Sequence, residues 1–165
     1  VAGGSRLSEV AHTIREEELT EGWNSSLNAI VAAYGSEEFD AAVLTIGLSG
    51  LLDATDERFI ATVDAIDEHL REGPTVFRYL YDDGLPGREG GFHICALWLV
   101  ESLAMIGRLD RARSMLDDII ACAGPTGVLS EQHDPLDDTP LGNHPQAYSH
   151  LALIDAARRI EQSSK

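Results

Sequence analysis

An all-α fold of paired helices is what this sequence predicts. Three observations carry that expectation: six stretches with apolar residues at helical spacing, an alternation between evenly apolar and one-sided helices, and an alternation between short and long connections.

From Ser5 to Leu19, the residues Leu7, Val10, Ala11, Ile14 and Leu19 recur near helical spacing, with Ser5 or Ser8 as the cap. Gly22-Trp23-Asn24-Ser25 breaks this first helix, and Leu27 to Tyr34, closed by Gly35-Ser36, reads as a brief extended segment. Asp40 caps a second helix running to about Leu52. The turn Asp53 to Asp56 opens a third, with Phe59, Ile60, Val63, Ile66 and Leu70 on one face, and Gly73-Pro74 stops it.

A loop with a short β-prone piece, Thr75 to Tyr81, leads into the turn residues Asp83-Gly84-Leu85-Pro86-Gly87 and then Gly90-Gly91. The fourth helix, Phe92 to Met105, is apolar nearly all round and therefore belongs inside. The fifth, Asp110 to Ala123, carries a one-sided stripe of Ala112, Met115, Leu116 and Ile119 and belongs outside. A long loop from Gly124 to His144 precedes a sixth helix, about Pro145 to Ile160, with its proline in the first turn.

The second, fourth and sixth helices are thus inner, and the first, third and fifth outer. Connections leaving an inner helix are short, whereas those entering one are long (22–39, 73–91 and 124–144). In a ring of helical hairpins this puts every long loop on one face, at the N-termini of the inner helices. There the helix dipoles and unpaired N–H groups favour acceptor-rich ligands.

Composition narrows the partners. The chain has 165 residues, enough for one ordinary domain, and 12 Lys and Arg stand against 28 Asp and Glu, a net charge of −16. A surface this acidic repels phosphate backbones and anionic headgroups, which argues against nucleic acid and membrane as partners. Residues 41–52 and 94–99, the longest apolar runs, are too short or interrupted to span a bilayer. Cys95 and Cys122 lie in apolar helical stretches with no metal or disulfide spacing, so a reduced, cytoplasmic setting is the simpler reading.

Taken singly, the polar candidates are weak. Glu131, in Leu129-Ser130-Glu131-Gln132-His133-Asp134, is by itself a loop carboxylate of the kind that is usually solvated. Arg78 reads as a surface residue or a partner for Asp82 or Asp83, and Glu89 as a ligand for hydroxyls or half of a rim pair with Arg88. Glu101, inside an apolar helix, needs a partner and reads as structural. His133, His144 and His150 match no compact zinc spacing, and Asp134, Asp137 and Asp138 do not follow the calcium-loop pattern, so no metal is expected.

The order of the segments carries more than any one of them. Asp40-Ala41 opens an inner helix; Val76-Phe77-Arg78-Tyr79 precedes Asp83-Gly84-Leu85-Pro86-Gly87; Glu89-Gly90-Gly91-Phe92-His93-Ile94-Cys95 runs through Trp98-Leu99-Val100-Glu101; Leu129-Ser130-Glu131-Gln132 runs through Gly142-Asn143 to Pro145-Gln146-Ala147-Tyr148-Ser149-His150. In this order and at these intervals they resemble the catalytic domain of glycoside hydrolase family 15, the glucoamylase and trehalase type, over nearly the whole chain.

That resemblance implies an (α/α)6 barrel of the six-hairpin glycosidase type, of which three hairpins are present here. It implies that Glu131 is the general base flanked by Ser130 and Gln132, that Arg78 binds hydroxyls of the sugar being cleaved, and that Tyr148 stands in the pocket wall; Glu89 keeps its two readings, contact with sugar hydroxyls or a rim pair with an arginine. It further implies inverting hydrolysis of an α-glucoside (glucan, oligosaccharide or trehalose), which needs a carboxylate to deprotonate water, a carboxylic acid to protonate the leaving oxygen, and no cofactor.

Family members carry the acid in a Trp-Glu motif on an earlier loop, but Trp23 and Trp98 are followed by Asn24 and Leu99. The expectation is therefore that residues 1–165 form the C-terminal half of the catalytic domain, a fragment inactive alone. Two other readings compete: a non-enzymatic helical-repeat interaction module, and a different (α/α)-barrel enzyme such as an epimerase, whose pocket would centre on histidines. A half ring also predicts exposed apolar surface on the inner helices 41–52 and 92–105, open or buried against a second copy in a homo-oligomer.

Overall fold

The computed structural model describes residues 2–84, 86–87 and 89–164, with side chains from residue 6 onward, so Leu85 and Arg88 of the glycine-rich connection lie outside the described residues. Among the described residues six α-helices form: α1 (Ala2–Glu21), α2 (Thr45–Leu48), α3 (Glu57–His69), α4 (His93–Met105), α5 (Leu109–Ala121) and α6 (Ala147–Ser163). No helix among the described residues is long and apolar enough to cross a membrane.

Helix α4 is the centre. It packs against α6, α5, α3 and the segment around α2, and Leu97, Leu99, Val100 and Leu103 are fully buried. Each such side chain removed from water contributes about 1.5–3 kcal/mol. Its one carboxylate, Glu101, is buried with Arg159 at 3.8 Å, the structural role that the sequence predicts. Phe59, Val63 and Ile66 of α3 close one side, and Ala112, Met115 and Ile119 of α5 another. Asp56 caps α3 by accepting from the Arg58 N–H.

Three expectations need correction. The second helix is short: Asp40 does accept the Ala42 N–H at 2.7 Å, but the residues beyond it form a 3-10 turn, Ala41–Leu44, and the single turn α2. The chain leaves the helical region at Gly50, whose φ is +78°, and Gly47 inside α2 has no room for a side chain, since a Cβ there would lie 2.1 Å from Cζ of Phe59. The site is reserved for a ring at the expense of helix propensity. Helix α6 begins at Ala147, two residues past Pro145, with Gln146 as its extended N-cap, and Ser5 and Ser8 lie inside α1 rather than capping it.

The third correction concerns the apolar seam. Most of helix α4 is covered by this chain's own helices, and the large exposed apolar residues include Leu7, Val10 and Ile14 of α1, Ile120 of α5, Leu151 and Ile154 of α6, and Leu80 and Leu136 of the loops. Burying α4 requires neighbours on most sides, and α3, α5 and α6 supply them, so the uncovered surface moves to the flanking helices.

The long loops are tied together by short strands. A hairpin joins β1 (Trp23–Asn24) to β2 (Ala29–Ile30). A five-stranded antiparallel sheet runs in chain order through β3 (Arg71–Glu72), β4 (Thr75–Val76), β5 (Gly91–Phe92), β6 (Gln132–Asp134) and β7 (Thr139–Leu141). Val76 pairs with Phe92, Phe92 with Gln132, and Gln132 with Leu141. Gly91 permits the β4–β5 approach, because a Cβ would sit 2.2 Å from Oγ1 of Thr75. The five-stranded sheet thereby joins two of the loops entering inner helices, 73–91 and 124–144, while the loop 22–39 forms the separate β1–β2 hairpin.

Candidate active site

Glu131 stands one residue before β6, between the first turns of two inner helices. Its carbonyl accepts the His93 N–H at the start of α4 at 3.2 Å, and its own N–H donates to the Asn143 carbonyl at 2.8 Å. Ser149, in the first turn of α6, donates its hydroxyl to the Ser130 carbonyl at 2.9 Å. A carboxylate near two helix N-termini is favoured electrostatically.

The carboxylate is clamped at both oxygens. Tyr148 donates its hydroxyl to Oε1 at 2.6 Å, and the Asn143 N–H and Nδ2 donate to Oε2 at 3.0 and 2.9 Å. The Tyr148 bond, then the Asn143 backbone bond, hold the Glu131 carboxyl below the usual glutamate range. The Tyr148 phenol is correspondingly raised, by burial first and by Glu131 second. Asn143 follows Gly142, whose φ of +71° makes the turn, and a Cβ on Gly142 would lie 2.8 Å from Glu131 Oε2.

Arg78 is held at the neighbouring helix start. Its carbonyl accepts the Ala41 N–H at 2.8 Å, and its Nε donates to Asp40 Oδ1 at 3.2 Å. That bond raises the guanidinium pKa. Cys95, in the first turn of α4, is buried. Burial pushes the Cys95 thiol up to about 12, which keeps it a protonated filler.

The other predicted residues divide. Gln132 braces the glycine-rich segment, its Oε1 accepting the Gly90 N–H at 3.1 Å. Ser130 is buried and its hydroxyl donates to the Gln132 carbonyl at 2.6 Å. Glu89 is exposed and opens onto a separate concavity of about 570 Å³ shared with Phe77, Tyr79, Tyr81 and Leu136. Tyr79 and Tyr81 stack there with centroids 4.3 Å apart.

Behind Glu131 lie two buried imidazoles. His93 is fully buried with neither ring nitrogen hydrogen-bonded, 6.0 Å from the His133 ring, and burial pushes its pKa down to about 4. His133 turns Nε2 to Asp138 at 3.0 Å. Among the described residues no group of three or more His, Cys, Asp or Glu side chains is arranged to hold a metal ion.

Reading the sequence residue by residue missed two participants, Asn143 and Asp40, as partners of the predicted base and arginine. The signals were present: a Gly-Asn turn twelve residues after Glu131, and a helix cap.

Residues 3–158 match the model of the family described as glycosyl hydrolases family 15. Trehalases are among the relatives: that of Thermoplasma volcanium is 38% identical over 151 residues, 91% of this chain and 24% of that protein. The Thermoplasma acidophilum trehalase is 40% identical over 146 residues, 88% and 25%. That of Mycolicibacterium smegmatis is 39% identical over 154 residues, 92% and 23%. The chain spans about a quarter of the length of these curated relatives.

Among solved structures, a wild-type glycosidase superimposes with a TM-score of 0.82 at 22% identity, covering 95% of this chain and 44% of that one. A glutamate-to-alanine glycosidase in complex with glucose gives the same values. The six helices here therefore have the fold of part of a six-hairpin glycosidase toroid, with the sheet as a minor addition.

Proposed function

The chain belongs to glycosyl hydrolases family 15, and from that membership we propose that it supplies the general base and part of the sugar-binding wall of an enzyme that hydrolyses trehalose with inversion. One observation carries the reading: a carboxylate, Glu131, fixed at both oxygens by Tyr148 and Asn143 and held ionised by those bonds. A base that activates water must be unprotonated at working pH and rigidly aimed.

Arg78, on the same loop face, presents a guanidinium to the hydroxyls of the sugar being released. The Tyr148 ring forms the wall beside the base. Ser130 and Gln132 support the loop rather than touch the reacting atoms, since the Ser130 hydroxyl and Gln132 Oε1 bond to the backbone, while Glu89 opens onto the separate concavity. The acid that protonates the leaving oxygen comes from a preceding part of the enzyme. Neither tryptophan here is followed by glutamate, and the trehalases that this chain resembles are much longer. Residues 1–165 alone are accordingly proposed to be inactive. Trehalose is preferred to a glucan because the similar curated proteins are trehalases.

Stereochemistry tests the mechanism. Trehalose joins two α-linked glucoses through both anomeric carbons, so inversion at one carbon releases one β- and one α-glucose, whereas retention releases α only. Early proton NMR spectra of trehalose digested by the enzyme carrying its complete reading frame should show the anomers in equal amounts. An α-only product would overturn the general-base assignment, and hydrolysis of maltose without trehalose would overturn the substrate.

A further inference from the structure

We infer that Asp40 is a positioning residue for Arg78: its buried carboxylate fixes the guanidinium that meets the sugar, an inference resting on the proposed role of Arg78. Asp40 is 8% exposed, and one oxygen, Oδ1, accepts both the Ala42 N–H at 2.7 Å and the Arg78 Nε–H at 3.2 Å. The first bond locks the carboxylate as a helix cap. Because the cap already holds Asp40 in place, ordering the arginine costs only the arginine's own rotamer freedom.

The arginine is gripped twice. Its carbonyl is fixed by the Ala41 N–H at 2.8 Å while its Nε is fixed by Asp40. Backbone and side chain of Arg78 are thus anchored to consecutive residues at one helix start. With Nε engaged, the N–H groups of the two terminal nitrogens remain available, and a guanidinium presents donors in a rigid fork. The side chain of Arg78 is half exposed, so the free end reaches solvent on the loop face while the anchored end is held against the first turn.

Capping and positioning separate experimentally because Asn caps a helix about as well as Asp but carries no charge. Steady-state kinetics on trehalose and thermal melts of the enzyme in its complete reading frame should be compared for wild type, Asp40→Asn, Arg78→Ala and the double variant. Asp40→Asn should melt as wild type does yet lose about tenfold or more in kcat/KM, as misplacing a substrate-contacting group does. The double variant should be no worse than Arg78→Ala alone, because both changes remove the same function.

Arg78→Ala impaired with Asp40→Asn unchanged overturns the inference and leaves the functional reading standing, and so do losses that multiply in the double variant. Arg78→Ala at the wild-type rate overturns both. Should Asp40→Asn fail to fold, Asp40→Ser, which keeps a hydroxyl cap and offers the guanidinium no charge, takes its place. Failure of both to fold overturns the inference in favour of a structural carboxylate.

Discussion

Tyr148 donates its phenol hydroxyl to Oε1 of Glu131 at 2.6 Å, across seventeen residues of sequence, and that bond is the first cause of the lowered Glu131 pKa. The sign is direct. A donor to the ionised form favours it, so Glu131 stays a carboxylate to lower pH than an ordinary glutamate, and base function is lost only as pH falls through that lowered value. Tyr148→Phe keeps the ring and removes the donor. The acidic limb of the kcat/KM profile should move to higher pH, with about a tenfold loss of rate at neutral pH. An unmoved limb would separate the tyrosine from the base.

Gly47 faces the ring of Phe59 with no room for a methyl group. Gly47→Ala should destabilise the fold by about 1–3 kcal/mol, the usual cost of overpacking, although alanine is the better helix former. Chemical denaturation reads this directly. A more stable variant would mean that the 3-10 turn and α2 tolerate a shift away from α3.

How far the sequence carries the fold is clearest at α4. Its uniform apolarity announces an inner helix, and the burial of most of its residues bears this out, whereas the second helix failed because the periodicity of residues 40–52 is satisfied equally by a 3-10 turn and one α turn around Gly47. Of the five-stranded sheet only β4, inside the β-prone piece 75–81, was legible: strands of two or three residues give no alternation to detect, and Val76, Phe92 and Gln132 pair only because the loops converge. Glu131 and Tyr148, which the structure joins by a hydrogen bond, were both named from one segment of the sequence. Asn143 and Asp40 act through geometry, which spacing alone does not reveal.

His93 predicts a stability profile. Its folded pKa is pushed down to about 4, below the ordinary imidazole value, so the unfolded chain takes up a proton first as pH falls. Its stability contribution is complete above the unfolded value and is lost as pH drops from about 6.5 toward 4, at up to about 1.4 kcal/mol per pH unit. Wild type minus His93→Leu should show this slope in denaturation series across that range. A difference independent of pH would mean that the ring is solvated or paired.

Net charge predicts a salt effect. With −16 on 165 residues, the folded chain repels itself, and added salt screens charges beyond about 10 Å at 0.1 M and about 3 Å at 1 M. Close pairs such as Arg71 with Asp67 at 2.6 Å are screened less. The melting temperature should therefore rise with potassium chloride concentration. A flat or falling trend would show that local ion pairs outweigh the net repulsion.

The proposed chemistry turns on one carboxylate, and its most direct test is the rate of glucose release from trehalose by the enzyme in its complete reading frame, wild type against Glu131→Gln. The amide keeps the size and can still accept from Tyr148, but cannot take a proton from water. A fall of about 10²–10⁴-fold in kcat with folding intact is expected, and equal rates would contradict the assignment of Glu131 as the base.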